Sequence, residues 1–110
     1  MSIEDVLAGL SILELPVALE TYEGSSTEYI TYNLAYEKEG SHSDNKPKTE
    51  KSYWQIHLVT PREFDYREVK KKIKKYLYDN GFKGIEVTPI TEKDTRHIVF
   101  ECEITLRMEE

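Results

Sequence analysis

In the ten residues His97-Ile98-Val99-Phe100-Glu101-Cys102-Glu103-Ile104-Thr105-Leu106 near the C-terminus, every second side chain is apolar, and those between them are polar except for Val99. Successive side chains of a β-strand point to opposite faces of the sheet, so this alternation predicts a long strand with one buried face. The buried face is predicted to carry Ile98, Phe100, Cys102, Ile104 and Leu106. Such a strand needs a sheet beside it and a layer of packing above it.

Four further segments supply that sheet. Residues 17–22, 29–37, 52–59 and 85–89 are rich in β-branched and aromatic residues and are predicted to be strands. In the second of them, the spacing predicts that Ile30, Tyr32, Leu34 and Tyr36 point to one face. Pro89 lacks the N–H that a central strand needs, which predicts that the 85–89 strand lies near an edge of the sheet or at a bulge.

Two helices are marked by their ends. Ser2, followed by acidic residues, predicts the start of a short helix that stops before Pro16. Asp65 and Glu68 have the spacing of a capping box, which predicts that Asp65 caps the second helix. Gly81 then fits the left-handed position that ends a helix, with Phe82 folding back onto it.

The order of these elements predicts an α+β fold in one domain, residues 1–110. We expect a single antiparallel or mixed sheet of four to five strands, with both helices packed on one face. The other face is predicted to be polar, since Gln55, His57, Glu101 and Glu103 lie on it, and to be either solvated or bound to a partner.

Residues 38–50 interrupt this pattern. The segment has no large apolar side chain, so nothing in it offsets the entropy lost on ordering. We therefore predict a flexible loop between two antiparallel strands. Loops of this length in a small domain are usually functional or disordered.

Charge and composition exclude several classes of protein. No apolar run is long enough to cross a membrane, and the acidic N-terminus is unlike a secretory signal. The single cysteine, Cys102, is predicted to be a core residue of a protein kept in a reducing compartment. The net charge of −6 argues against a dedicated nucleic-acid binder. The charge is nevertheless segregated, because residues 66–79 hold six basic and only two acidic side chains.

No pattern of residues indicates catalysis or cofactor binding. The spacings that typify metal ligands and phosphate-binding loops are absent from the sequence. Glu101 and Glu103 share a strand face, but no apolar wall is predicted that would raise the pKa of one of them. The sequence therefore predicts neither an enzyme, a metal site nor a cofactor.

The order of elements and several segments resemble the tail terminator proteins of long-tailed bacteriophages and prophages, also called tail completion or head–tail joining proteins. The likeness lies in Leu15-Pro16-Val17 after a short helix, the aromatic strand at 28–33, and the polar loop that follows. It continues through the strand at 53–60, the helix at 68–80 and the final hairpin, and so covers the full chain.

This resemblance implies a non-enzymatic structural protein of the virion, assembled in the host cytoplasm. Its partners would be further copies of itself in a ring, usually of six, the tail tube protein and the head–tail connector proteins. DNA would pass through the ring without specific binding. The residues expected to contact other subunits or partners are Lys38, His42, Lys46, Lys48, Lys71, Lys74, Glu101 and Glu103.

Two other functions are compatible with the residues. One is a stand-alone α+β binding or adaptor module that recognises a peptide or small ligand. The other is a small enzyme whose active site forms only between subunits. A pocket with convergent polar groups would favour either of these over the structural role.

Overall fold

The computed structural model describes residues 2–40, 42–43, 46–47 and 49–107, the two short segments by their backbone alone. A short helix, α1 (Ile3–Ala8), continues into a 3-10 helix (Gly9–Leu13), and the second α-helix is α2 (Arg67–Asp79). The strands are β1 (Val17–Leu19), β2 (Tyr29–Glu39), β3 (His42–Ser43), β4 (Lys46–Pro47), β5 (Thr49–Pro61), β6 (Lys83–Thr91) and β7 (Thr95–Arg107). The molecule is elongated, measuring 54 × 23 × 23 Å.

Five strands form one mixed sheet in the order β1-β2-β5-β7-β6. The first pair is parallel and the other pairs are antiparallel. This confirms the predicted α+β fold and the predicted number of strands. Pro89 lies in β6, which is an edge strand, so the position predicted from its missing N–H is also confirmed.

Both helical segments pack on the same face of the sheet, as predicted. Leu7 and Leu10 from the N-terminal helices and Ile73 and Leu77 from α2 are fully buried. Burying a leucine or isoleucine side chain stabilises the fold by about 2 kcal/mol relative to exposing it. They join a single cluster with the inward side chains of the central strands, which include Ile30, Tyr32, Trp54, Ile56, Leu58, Ile98, Phe100 and Cys102.

The beginning of α1 matches the prediction. The Asp5 N–H donates to Ser2 Oγ at 3.1 Å, and the Ser2 N–H donates to the Asp5 carboxylate at 3.4 Å. The helical segment then ends at Leu13, before Pro16. The strand that follows is shorter than the predicted 17–22, because Glu20 adopts a left-handed backbone conformation, with φ of 64°, which ends the extended run.

The beginning of α2 differs from the prediction. Its N-cap residue is Tyr66 rather than Asp65, and no side chain caps the helix there. The Asp65 carboxylate instead accepts hydrogen bonds from the Arg67 backbone N–H at 3.1 Å and from the Arg67 guanidinium at 2.9 Å. These bonds lower the pKa of Asp65 to about 2. The predicted capping box with Glu68 is wrong because a charged donor two residues away engages the same carboxylate.

The end of α2 confirms the prediction. Gly81 has φ of 92°, a conformation that glycine adopts without strain. The Phe82 N–H donates to the Leu77 carbonyl at 3.0 Å, and the Gly81 N–H donates to the Tyr78 carbonyl at 3.2 Å. This pair of bonds is a Schellman motif, and the Phe82 side chain is buried against the core, 2% exposed.

A β-bulge in β2 overturns one predicted side-chain direction. The register with β5 shifts between Leu34 and Tyr36, so that Leu34 lies opposite Trp54 and Tyr36 lies opposite Tyr53. Tyr36 therefore points away from the helices, whereas the uninterrupted alternation predicted that it would share a face with Leu34. A bulge adds one residue to one strand only, which inverts every later side chain.

The predicted loop at 38–50 is shorter at both ends. Lys38 and Glu39 extend β2 and pair with Lys51 and Glu50 of β5. Between these strands, His42 and Ser43 of β3 pair with the backbone of β4. The prediction that the remaining segment is flexible stays a prediction, since residues 41, 44, 45 and 48 lie outside the described residues.

Candidate functional site

The sheet has an open face, which is the face that points away from both helices. The strand register places polar and aromatic side chains on it from β2, β5 and β7, because Thr31 pairs with His57, Asn33 with Gln55, and Gln55 with Glu101. On the three central strands, the open face comprises Tyr29, Thr31, Asn33, Tyr36, Lys38, Lys51, Tyr53, Gln55, His57, Val59, His97, Val99, Glu101, Glu103 and Thr105. The predicted polar face is thus present, and it carries more aromatic residues than the alternation indicated.

Four side chains form a directed chain of hydrogen bonds across the centre of the open face. His57 Nδ1 lies 2.7 Å from His97 Nε2, and His57 Nε2 lies 2.9 Å from Asn33 Oδ1. The Asn33 amide donates to Gln55 Oε1 at 3.3 Å. Since Asn33 Oδ1 can only accept, His57 Nε2 carries a proton, and in the neutral ring His57 Nδ1 accepts from His97. The network assigns these tautomers.

Partial burial disfavours the charged form of His57. Partial burial, followed by the neighbouring His97 ring, lowers the pKa of His57 below its ordinary value. Both nitrogens of His57 are engaged in hydrogen bonds, so neither is available as a general base in this arrangement. The chain of bonds therefore orders the open face more than it prepares it for proton transfer.

A groove of about 550 Å³ runs beside this chain. The segment after β1 forms one wall, where the Tyr22 ring stacks on Tyr29 with centroids 4.5 Å apart and the Tyr22 hydroxyl accepts from the Ser26 N–H at 3.0 Å. Imidazole and threonine groups also line the groove, together with the carboxylates of Glu20 and Glu92. Such a groove can hydrogen-bond and stack against a polar surface.

A second aromatic pair lies at the other end of the open face. Tyr36 stacks on Tyr53 with ring centroids 4.1 Å apart. Partial burial, followed by the neighbouring Tyr36, raises the pKa of the Tyr53 hydroxyl. Lys51 and Glu103 form an ion pair at 3.9 Å beside it. Stacked tyrosines on an uncovered surface are the residues that protein interfaces favour.

The predicted contact residues do not come together at one place. Lys38, Glu101 and Glu103 lie on the open face, whereas Lys71 and Lys74 lie on α2, on the opposite side of the sheet. His42 and Lys46 are placed by their backbone alone, in β3 and β4. Lys48 lies outside the described residues.

The outer face of α2 carries four cations, of which three form exposed ion pairs: Arg67 with Asp65, Lys71 with Glu68, and Lys75 with Asp79. The side chains that recur at helical spacing away from the buried residues are Arg67, Lys71, Lys74, Lys75 and Tyr78. The Tyr78 side chain is 54% exposed at the end of this row. We refer to these five residues as the α2 outer face.

A third surface was not predicted from the sequence. Leu19, Leu34 and Leu106 are 40 to 44% exposed on the helix-covered side of the sheet, where they line a groove of about 500 Å³ together with Trp54. Carboxylates surround these apolar side chains, and those lining the groove are Glu4, Glu20, Glu37 and Glu50. We refer to this surface as the acidic groove.

Element lengths explain why the acidic groove exists. A strand of 13 residues extends about 43 Å, whereas helices of 6 and 13 residues extend only about 9 and 20 Å. The helices therefore leave part of their own side of the sheet uncovered. The sequence does contain a signal for this groove. The alternation of apolar side chains continues to Leu34 and Leu106, which makes the strands longer than two short helices can cover.

Cys102 is a core residue, as predicted. It is 4% exposed, and its thiol lies 3.8 Å from the Trp54 carbonyl oxygen. Burial, with a smaller effect of Glu103, raises the pKa of the thiol to about 12. Within the described part of the chain, no cluster of three or more potential metal ligands is found, and no helix is long and apolar enough to span a membrane.

Comparisons with known proteins give information on the fold of this chain but none on its function. No protein-family model and no curated protein matches the sequence. Among the solved structures that match, one of a protein without a stated function covers 98% of this chain and 92% of its own, with a TM-score of 0.64 at 12% sequence identity. This likeness shows that the two chains share a fold.

Proposed function

We propose that this chain is a non-enzymatic structural subunit of a bacteriophage or prophage tail, which forms a ring that terminates the tail tube and joins it to the head. Its partners are further copies of itself, the tail tube protein and the head–tail connector proteins. The ring belongs to the virion and assembles in the cytoplasm of the bacterial host.

The open face is the observation that carries this proposal. It extends across the three central strands of the sheet, no helix of the described residues covers it, and it has a stacked tyrosine pair near each end. Aromatic residues on an uncovered face are typical of a surface that a partner covers on assembly. The directed chain from His97 to Gln55 holds the centre of this surface in one arrangement, which reduces the entropy lost on binding.

The distribution of charge supports the same function. The chain is acidic overall, with a net charge of −6, although residues 66–79 hold six of its 15 lysines and arginines. A net negative subunit repels the phosphates of DNA that passes through a ring, so the DNA would not be held there.

The test is to measure the mass of the protein in solution by light scattering over a range of concentrations, with negative-stain images of any large species. We expect rings of about six copies, either from the protein alone or on purified tail tubes of the encoding phage or prophage. A protein that forms no ring under either condition would contradict the proposal.

A charge reversal addresses the role of the open face directly. Glu101 is exposed near the middle of this face, so Glu101→Arg should weaken ring formation. Glu63→Arg is the matched control, since Glu63 is also exposed but lies in the turn before α2. Equal ring formation by both variants would exclude the open face as a contact.

The second candidate function is a stand-alone binding module for a peptide or small ligand. The groove between Tyr22 and His97 favours it, since aromatic, imidazole and hydroxyl groups converge there. A discrete monomer or dimer that leaves tail tubes uncapped, and in which a ligand fills this groove, would favour this function over the ring.

A further inference from the structure

Two surfaces outside the open face, the α2 outer face and the acidic groove, are complementary: one is a helix with unburied cations, and the other is a groove lined by carboxylates. We propose that the α2 outer face of one copy docks into the acidic groove of the next copy, with Tyr78 on the exposed leucines and the lysines against the surrounding carboxylates. This inference rests on the proposed function, because it names a contact between subunits of the ring in addition to the one that the open face makes.

The acidic groove has two features that a docking partner could cover: apolar side chains exposed to water and a cluster of negative charges. Its apolar part exposes 44% of Leu19 and 40% each of Leu34 and Leu106 to water. Its rim concentrates negative charge, because Glu39 pairs directly with Glu50 across β2 and β5, next to Glu37. A hydrogen bond shared with Glu37, then partial burial and the charges of Glu37 and Glu39, raise the pKa of Glu50. An approaching cation would relieve this repulsion.

The α2 outer face has the opposite character. Lys71 is 3.8 Å from Glu68 and Lys75 is 2.8 Å from Asp79, exposed ion pairs that contribute little to stability, and Lys74 forms no ion pair with any described residue. Lys71, Lys74 and Tyr78 lie at i, i+3 and i+7, so they form one row along the helix. Tyr78 exposes 54% of its side chain at the end of this row, an amphipathic ring with a hydroxyl at its tip.

The geometry points to a second copy rather than to an unrelated partner. The two surfaces share no residue, so each copy can offer its helix to one neighbour and its groove to another. Such a contact is heterologous, and it closes into a ring when the rotation between neighbours divides a full turn. Tyrosine on leucine supplies the apolar centre of the contact, and lysine on glutamate supplies its register and its dependence on salt.

A reciprocal charge swap tests this contact. The helix variant is Lys71→Glu with Lys74→Glu, and the groove variant is Glu37→Lys with Glu50→Lys. Each variant alone places like charges across the contact, so we expect the apparent dissociation constant for assembly to rise by about tenfold or more. A mixture of the two variants restores opposite charges at every contact of an alternating ring, and it should assemble as tightly as the wild-type protein.

The mixture is the decisive measurement, because a variant that merely misfolds cannot be rescued by its counterpart. The matched control is Arg62→Glu with Lys93→Glu, which makes the same change of charge at two exposed cations outside both surfaces. It should assemble normally alone and should not rescue the groove variant. Analytical ultracentrifugation at about 0.05 M and about 0.5 M salt should also show weaker assembly of the wild-type protein at the higher salt.

The outcomes separate this inference from the proposed function. Rings that form equally well from the wild type and from both variants overturn the docking but leave tail termination intact. A wild-type chain that stays monomeric at millimolar concentration, or a mixture that assembles only after tail tubes are added, also overturns docking between copies. In that case, ring formation on tail tubes tests the proposed function by itself.

Discussion

Adding one methyl group at Gly9 should reveal how α1 and α2 are joined. The Tyr76 hydroxyl donates to the Val6 carbonyl at 2.5 Å, and a Cβ built on Gly9 would lie 2.2 Å from that hydroxyl oxygen. Gly9 has φ of −63° and ψ of −10°, which any residue can adopt, so alanine is strained there only by the tyrosine. Gly9→Ala must therefore displace the hydroxyl and weaken its hydrogen bond.

The magnitude follows from two effects. Overpacking of this kind costs about 1 to 3 kcal/mol, and losing a hydrogen bond costs about 1 kcal/mol. We expect Gly9→Ala to destabilise the protein by about 2 kcal/mol and Tyr76→Phe by about 1 kcal/mol. Once Tyr76→Phe has removed the hydroxyl, the ring atom nearest to the new Cβ is Cζ, at 3.3 Å. The free-energy cost of this close contact is largely offset, because an unfolded chain with alanine has less conformational entropy than one with glycine.

A double-mutant cycle measures how much the cost of Gly9→Ala depends on the Tyr76 hydroxyl. Urea unfolding of the four proteins, followed by fluorescence of the buried Trp54, gives each free energy of unfolding at one low protein concentration. We expect Gly9→Ala to cost less than about 0.5 kcal/mol in the Tyr76→Phe background, a coupling of about 1.5 kcal/mol. Costs that add to within about 0.5 kcal/mol would refute the reasoning.

Three further predictions concern single residues. Gly81→Ala should destabilise the protein by about 1 to 2 kcal/mol in the same urea assay, because φ of 92° is strained for alanine; an unchanged midpoint would contradict this. The free energy of unfolding should fall as the pH decreases from about 7.5 to about 5.5, since the lowered pKa of His57 means that the unfolded chain takes up its proton first. His57→Gln should remove part of this slope, and an identical slope in both proteins would exclude His57 as its origin. Cys102, with a pKa of about 12, should react with a disulfide reagent about a thousandfold more slowly in the folded protein than in urea, so rapid labelling without denaturant would count against its burial.

Local periodicity was enough to predict the five strands of the main sheet and the two α-helices, although not all of their bounds. The alternation around Phe100 and the helical spacing of Ile73 and Leu77 depend only on neighbouring residues, and both are confirmed. The end of α2 could also be predicted from the sequence, because only glycine adopts the conformation of Gly81 without strain. The polar face that includes Gln55 and Glu101 also followed from alternation alone.

The functional surfaces depended on relations that no local pattern contains. The bulge that turns Tyr36 onto Tyr53 is a property of two paired strands, and Arg67 takes the carboxylate of Asp65 only once the turn before α2 has formed. His57 and His97 are 40 positions apart in the chain, and the register of β5 against β7 brings their rings together. The acidic groove exists because two short helices cannot cover long strands. Side-chain direction within an element is set by backbone geometry, whereas the contacts between elements are set by register and by relative length, and those are decided only when the whole sheet assembles.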